Sequence, residues 1–196
     1  MKTYLLIFVL IFMFSCKDKK DCEKIYQEYV ALRMSSKDEE AFRSLDNAIK
    51  CDSNNETYIF EKVNFLISIK DYKKATVTIE KLGKINNLYV DKFPLIGLLK
   101  IKAGNKSNGL SELKSIRSNL KKDEKKSFNS KYYSILLTLF FEGKENAIIE
   151  INKKNHSYDA SEKAILENLK NLINSQSDSL SILYKSFQIE PDGTDI

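Results

Sequence analysis

Three positions in this chain recur at one fixed step. Ala41 precedes Ala75 by 34 residues, and Ala75 precedes Gly109 by the same interval. Leu45, Ile79 and Leu113 keep that step, as do Ala48, Leu82 and Ile116. Small and apolar side chains recurring together, at a period between about 20 and 50 residues, mark an array of supersecondary units. No single unit buries its own apolar face, so each must stack on a neighbour. Apolar spacing of three and four inside each unit predicts helices. The 196 residues include only six Gly and two Pro, which disfavours a turn-rich β fold. The fold class predicted is all-α, built from stacked antiparallel helical hairpins.

Reading along the chain gives about five such hairpins over residues 22–191. The first pairs a helix over 22–34, with Ile25, Tyr29 and Leu32 on one face, with a helix ending at Cys51. Ser36 and Glu39 have the spacing of a capping box for that second helix. The second hairpin pairs 56–69 with 72–82, and the third pairs 92–103 with 107–120. Pro94 falls in a first helical turn, where a missing N–H costs little, and Gly104 supplies a turn. The polar run at 121–126 breaks the step. A fourth pair, 130–142 and 144–153, turns at Gly143. A fifth joins 159–174 to 178–189, with Asp159 and Glu162 as a second capping box. Residues 192–196 read as a tail.

Several of these features resemble the tetratricopeptide repeat, whose period is 34. The join Lys70-Asp71-Tyr72-Lys73-Lys74-Ala75 is similar to that family's GDYxxA join, with Lys70 in the glycine place. Gly97 falls where the family uses a small residue, and Ile189 to Gly193 resembles its terminal turn. The likeness is good for the first three hairpins and looser for the last two, where Sel1-like repeats also fit. It implies a right-handed solenoid whose first helices line a concave groove. The groove positions it implies are Tyr26, Val30 and Arg33, then Phe60, Asn64 and Ile67. Leu98, Ile101 and Lys102 continue them, followed by Tyr132, Leu136 and Leu139. Such a groove would hold a helix or extended segment of a protein partner, unless the fifth hairpin folds over and fills it.

Residues 1–15 carry a different signal. Lys2 precedes an unbroken apolar run from Tyr4 to Phe14, too short for a comfortable membrane span, and Ser15-Cys16 is followed by charge. This resembles a bacterial lipoprotein signal peptide, which implies lipidation at Cys16, a charged tether over 16–21 and anchoring in the cell envelope. Lys17 after that cysteine leans towards the outer membrane, with the protein on its periplasmic or surface face. Two cysteines remain, Cys22 and Cys51, at the adjoining ends of the first hairpin. An exported chain meets oxidising conditions, so a bridge and two separate buried thiols both stay open.

No catalytic constellation survives inspection. His156 is the sole histidine, so a zinc or iron site of ordinary ligand count is not expected. Gly104-Asn105-Lys106-Ser107 lacks the glycine before lysine and the preceding strand that a phosphate loop needs. Glu39-Glu40 sits in a first helical turn, where carboxylates complement the helix dipole. The net charge of +5 comes from lysine, with only Arg33, Arg43 and Arg117 as arginines, and no basic stripe interleaved with aromatics points to nucleic acid. The expectation is a non-catalytic envelope lipoprotein, with no cofactor or metal. It would act as a scaffold or adaptor that binds a protein or peptide and reaches the membrane through its lipid. The alternative is an immunity-type protein that neutralises a toxin or enzyme with the same surface.

Overall fold

The computed structural model describes residues 19–85, 93–122, 127–154, 158–175 and 178–191. Cys16, the signal over 1–15, His156 and the tail over 192–196 lie outside them, as do half of the tether and most of the polar run at 121–126. The fold is all-α, with ten helices and no strand among the described residues. They are α1 (Lys19–Met34), α2 (Asp38–Cys51), α3 (Glu56–Ser68), α4 (Tyr72–Ile85) and α5 (Phe93–Lys102). The second half holds α6 (Lys106–Lys122), α7 (Phe128–Glu142), α8 (Lys144–Lys154), α9 (Ala160–Ser175) and α10 (Ser179–Lys185). No described helix is long and apolar enough to cross a membrane. The chain packs as two compact units, Met1–Leu66 and Ile67–Ile196, so the division falls within α3.

The backbone carries the repeat as plainly as the side chains do. Ser36, Lys70 and Gly104 all sit at positive φ, of 56°, 60° and 89°, and they are spaced by 34 residues. Each follows a helix and turns the chain back into the next. After α1, the Ser36 N–H donates to the Arg33 carbonyl (3.0 Å) and the Lys37 N–H to the Leu32 carbonyl (3.0 Å). After α5, Gly104 N–H and Asn105 N–H close the same pair of bonds on Ile101 and Lys100, at 3.0 and 2.8 Å. This is a Schellman closure, which needs one left-handed residue and satisfies carbonyls that a helix end leaves open.

That closure corrects one expectation. Ser36 does not cap α2; Lys37 stands at its N-cap, with no side-chain bond to the helix. Ser36 is already committed to ending α1. The box at Asp159 and Glu162 does form: Glu162 N–H donates to the Asp159 carboxylate (2.8 Å) and Asp159 N–H to the Glu162 carboxylate (3.2 Å). The last helix is shorter than expected. It stops at Lys185, and Gln188 at φ 57° lets the Ile189 N–H reach back to the Tyr184 carbonyl (3.0 Å).

In the first unit, α1 and α2 pack as a hairpin around Cys22, Tyr29, Ala41, Leu45, Ala48, Tyr58 and Phe65. Cys22 and Cys51 are joined by a disulfide, with Cα atoms 5.4 Å apart. In the second unit, α4 packs on α5, α5 on α6, α6 on α7 and α7 on α8, while α9 lies against α8 and α10. The short α10 returns to pack on α7. Two helices here have no polar stripe. α5, FPLIGLLKIK, buries Leu95, Ile96, Leu98, Leu99 and Ile101, and α7 buries every residue from Ser134 to Leu139. A helix with so wide an apolar surface packs on neighbours over most of its circumference.

Candidate partner-binding face

The groove positions implied by the repeat separate into two groups. Those on α1 and the first turns of α3 remain accessible. Tyr26, Val30, Arg33 and Phe60 are partly exposed, and Asn64 is exposed. Of those in the second unit, Ile67, Leu98, Ile101, Leu136 and Leu139 are buried, while Lys102 and Tyr132 are partly exposed like Tyr26 and Phe60.

The interior group has a physical cause. Neighbouring helices enclose it: α5 packs on α4 and α6, with Ile101 against Gly109, and α7 packs on α6, α8 and α10. Tyr184 is fully buried, and the Lys102 ammonium lies 4.6 Å from the centre of its ring. Phe187 stacks on Tyr133 of α7 at 5.3 Å, and Glu190 pairs with Lys70 at 2.6 Å. Leu98, Ile101, Leu136 and Leu139 are therefore core side chains of the second unit rather than an open wall. Of the fifth hairpin, α10 packs on α7 and α9 packs on α8.

The accessible face is built by α1 and α3 running side by side. Tyr26 stacks on Tyr58, ring centres 4.7 Å apart, and the Arg33 guanidinium lies 4.8 Å from the centre of the Phe65 ring. Tyr29 donates its hydroxyl proton to Glu61 (3.1 Å). Three of these pairs are offset by 32 residues, so the two helices run in the same direction. In the other direction, Tyr58 donates its hydroxyl proton to Glu23 (3.0 Å). Burial first, and then the neighbouring carboxylate, pushes the Tyr29 and Tyr58 hydroxyls up to about 12. Both stay protonated donors in any ordinary medium, so Glu23 and Glu61 are held in fixed positions at the edge of the face. Arg33 is steadied in turn by Asp38 at 2.6 Å.

The arrangement suits binding. Aromatic rings and aliphatic groups occupy the middle, with fixed charges at the rim, the composition that desolvates well against a partner. Tyr29, Tyr58, Glu23, Glu61 and Phe65 were absent from the sequence reading of this face. The 32-residue offset between hydroxyl and carboxylate was the available signal. Among the described residues no group of His, Cys, Asp and Glu could hold a metal ion. Gly104 to Ser107 joins α5 to α6, with a helix on both sides. Glu39 and Glu40 are exposed in the first turn of α2.

Comparison with protein-family models finds no match, and comparisons with curated proteins and with solved structures find none either.

Proposed function

We propose that this chain is an exported protein, lipid-anchored through Cys16 to the cell envelope. In this reading it carries a tetratricopeptide-repeat-like domain that binds a protein partner without catalysis. The partner surface is the face of Tyr26, Val30, Arg33, Phe60 and Asn64. One observation carries the reading: five of the six implied groove positions on α1 and α3 stay accessible side by side, and part-buried tyrosine–carboxylate bonds hold the two helices together. Pre-setting a surface in this way lowers the ordering cost of association. The 34-residue recurrence of Ser36, Lys70 and Gly104 supports the repeat assignment.

The test is recovery of the native protein in mild detergent, wild type against Val30→Ala/Phe60→Ala. A stoichiometric membrane partner should be lost from the variant while its circular dichroism stays that of the wild type. Partner recovery unchanged in a folded variant would remove this face from consideration. Rescue of cells from one toxin or enzyme, with no membrane partner, would move the reading to the neutralising class.

A further inference from the structure

Three tyrosines and two glutamates of the first unit meet where α1 and α3 lie side by side. Tyr26 stacks on Tyr58 at 4.7 Å and lies 5.6 Å from Tyr29, ring centre to ring centre. Tyr29 and Tyr58 are buried, while Tyr26 keeps part of its surface in solvent. Glu23 accepts from the Tyr58 hydroxyl (3.0 Å) and from the Gln27 amide (2.7 Å). Glu61 accepts from the Tyr29 hydroxyl (3.1 Å). All of these donors are neutral. Cations that pair within this unit go to other carboxylates: Lys24 to Asp21, Arg33 to Asp38, Lys37 to Glu40 and Lys62 to Asp46. Glu23 is exposed and Glu61 partly so, and among the described residues neither has a cation bonded to it. Both act on Tyr26, whose hydroxyl is raised above its ordinary range by burial first, then by Glu61 and Glu23.

Resting on the reading of the α1–α3 face as the partner surface, we propose that its occupant is a basic segment of a partner protein, with arginine or lysine side chains seated at Tyr26 between Glu23 and Glu61. Charge complementarity selects this occupant. An acidic segment is repelled by two fixed carboxylates, whereas a guanidinium gains charge-assisted bonds to them and a contact with the accessible ring. The tyrosine hydroxyls have already set both carboxylates, so little side-chain freedom remains to be lost on binding. Glu23 lies six residues before Tyr29, the residue that holds Glu61, which separates the two charges by roughly 9 Å along α1. Alternate side chains of an extended segment are about 7 Å apart, and long basic side chains close the difference. Val30, one turn beyond Tyr26, is partly exposed and apolar, and meets the residue that follows the two basic ones. That apolar step favours a protein segment over a free polyamine.

The probe is a fluorescein-labelled pentapeptide, arginine-serine-arginine-serine-leucine, read by anisotropy on the full-length protein. Binding should weaken with added salt. It should be lost when citrulline, uncharged and nearly the same size, replaces both arginines. Glu23→Gln/Glu61→Gln should weaken it by about ten-fold, because glutamine still accepts from the tyrosines but carries no charge. Glu61→Gln alone, with about a three-fold loss, repeats the test if the double variant does not fold. Glu39→Gln/Glu40→Gln, at exposed carboxylates of α2, should change nothing. The idea fails if the wild type does not bind the peptide, if the citrulline peptide binds as tightly, or if the α2 pair weakens binding as much as Glu23→Gln/Glu61→Gln does. It also fails if spermidine displaces the probe more readily than unlabelled peptide does, or if self-association of the protein excludes the probe. A membrane partner lost from Val30→Ala/Phe60→Ala but retained by Glu23→Gln/Glu61→Gln would keep the face and overturn this chemistry alone.

Discussion

The backbones of Gly97 and Gly109 touch. A Cβ placed on Gly109 would stand 2.5 Å from the Gly97 carbonyl oxygen and 2.6 Å from Cγ1 of Ile101. One on Gly97 would meet the Leu113 side chain at 2.6 Å. The α5–α6 crossing is thus closer than any side chain allows. In an ordinary helix Gly→Ala gains about 1 kcal/mol of propensity. At Gly109 that gain is overturned, since a carbonyl oxygen cannot swing aside as a flexible side chain does. Gly109→Ala is expected to lower unfolding free energy by roughly 1–3 kcal/mol through overpacking. Urea denaturation would check it, and a stabilised variant would contradict the crossing.

The divided groove makes a paired prediction. Leu98 is fully buried, so Leu98→Ala should cost about 2–5 kcal/mol, as cavity-forming substitutions do. Phe60 is only partly exposed to packing loss and should cost less on truncation. Thermal melts of the two single variants rank them, and an equal loss would return Phe60 to the core.

The Cys22–Cys51 bridge closes a loop with a sequence separation of 29. Chain-entropy reasoning assigns such a loop roughly 3–4 kcal/mol, before any strain in the native state is subtracted. The Cys22→Ser/Cys51→Ser double variant should unfold at correspondingly lower denaturant. Mass spectrometry of protein purified without reductant should find neither thiol free to alkylate.

Alkali should loosen the first unit. The Tyr29 and Tyr58 hydroxyls are raised to about 12 from an ordinary value near 10. A pKa raised by folding gives stability that is complete below about 10 and lost as pH climbs through about 12. Tyrosinate absorbance should lag behind that of free tyrosine and then rise together with loss of helix. Tyr29→Phe/Tyr58→Phe should shorten the lag, leaving the part carried by Tyr26 and Tyr158, whose hydroxyls burial also raises.

Acid acts on the other unit. Asp178 caps α10, accepting from the N–H groups of Leu180 and Ser181, both at 3.0 Å, and from the Ser181 hydroxyl. The Ser181 hydroxyl and then these amides hold its carboxyl below the ordinary range. A lowered pKa gives stability that is present above about 4 and lost as pH falls further. Asp178→Ala should cost about 1 kcal/mol at neutral pH, and progressively less in acid.

What the sequence made legible is what local chemistry decides. Ala41, Ala75 and Gly109 announced the step because close helix approach admits only small side chains. The box at Asp159 and Glu162 was readable for the same reason, since four consecutive residues contain all of it. Ser36 and Glu39 show the limit. The same spacing can begin a helix or follow the end of one, and here the left-handed turn after α1 had prior claim on Ser36. Leu98 and Leu136 were placed on a groove by their position in the repeat. Their burial comes from the packing of whole helices on one another, which no local pattern specifies. The missing polar stripe of α5 and α7 was the one visible warning.

The return of α10 onto α7 sets an order of events during synthesis. A chain is made from its N-terminus, and its domains close as they emerge. The first hairpin has all of its own parts once Cys51 is out. The side of α7 on which α10 packs is finished long before Tyr184 exists, so it waits without that cover while α8 and α9 are added. That interval, rather than any weakness of the finished fold, is when the second unit would draw a chaperone or stick to its neighbours.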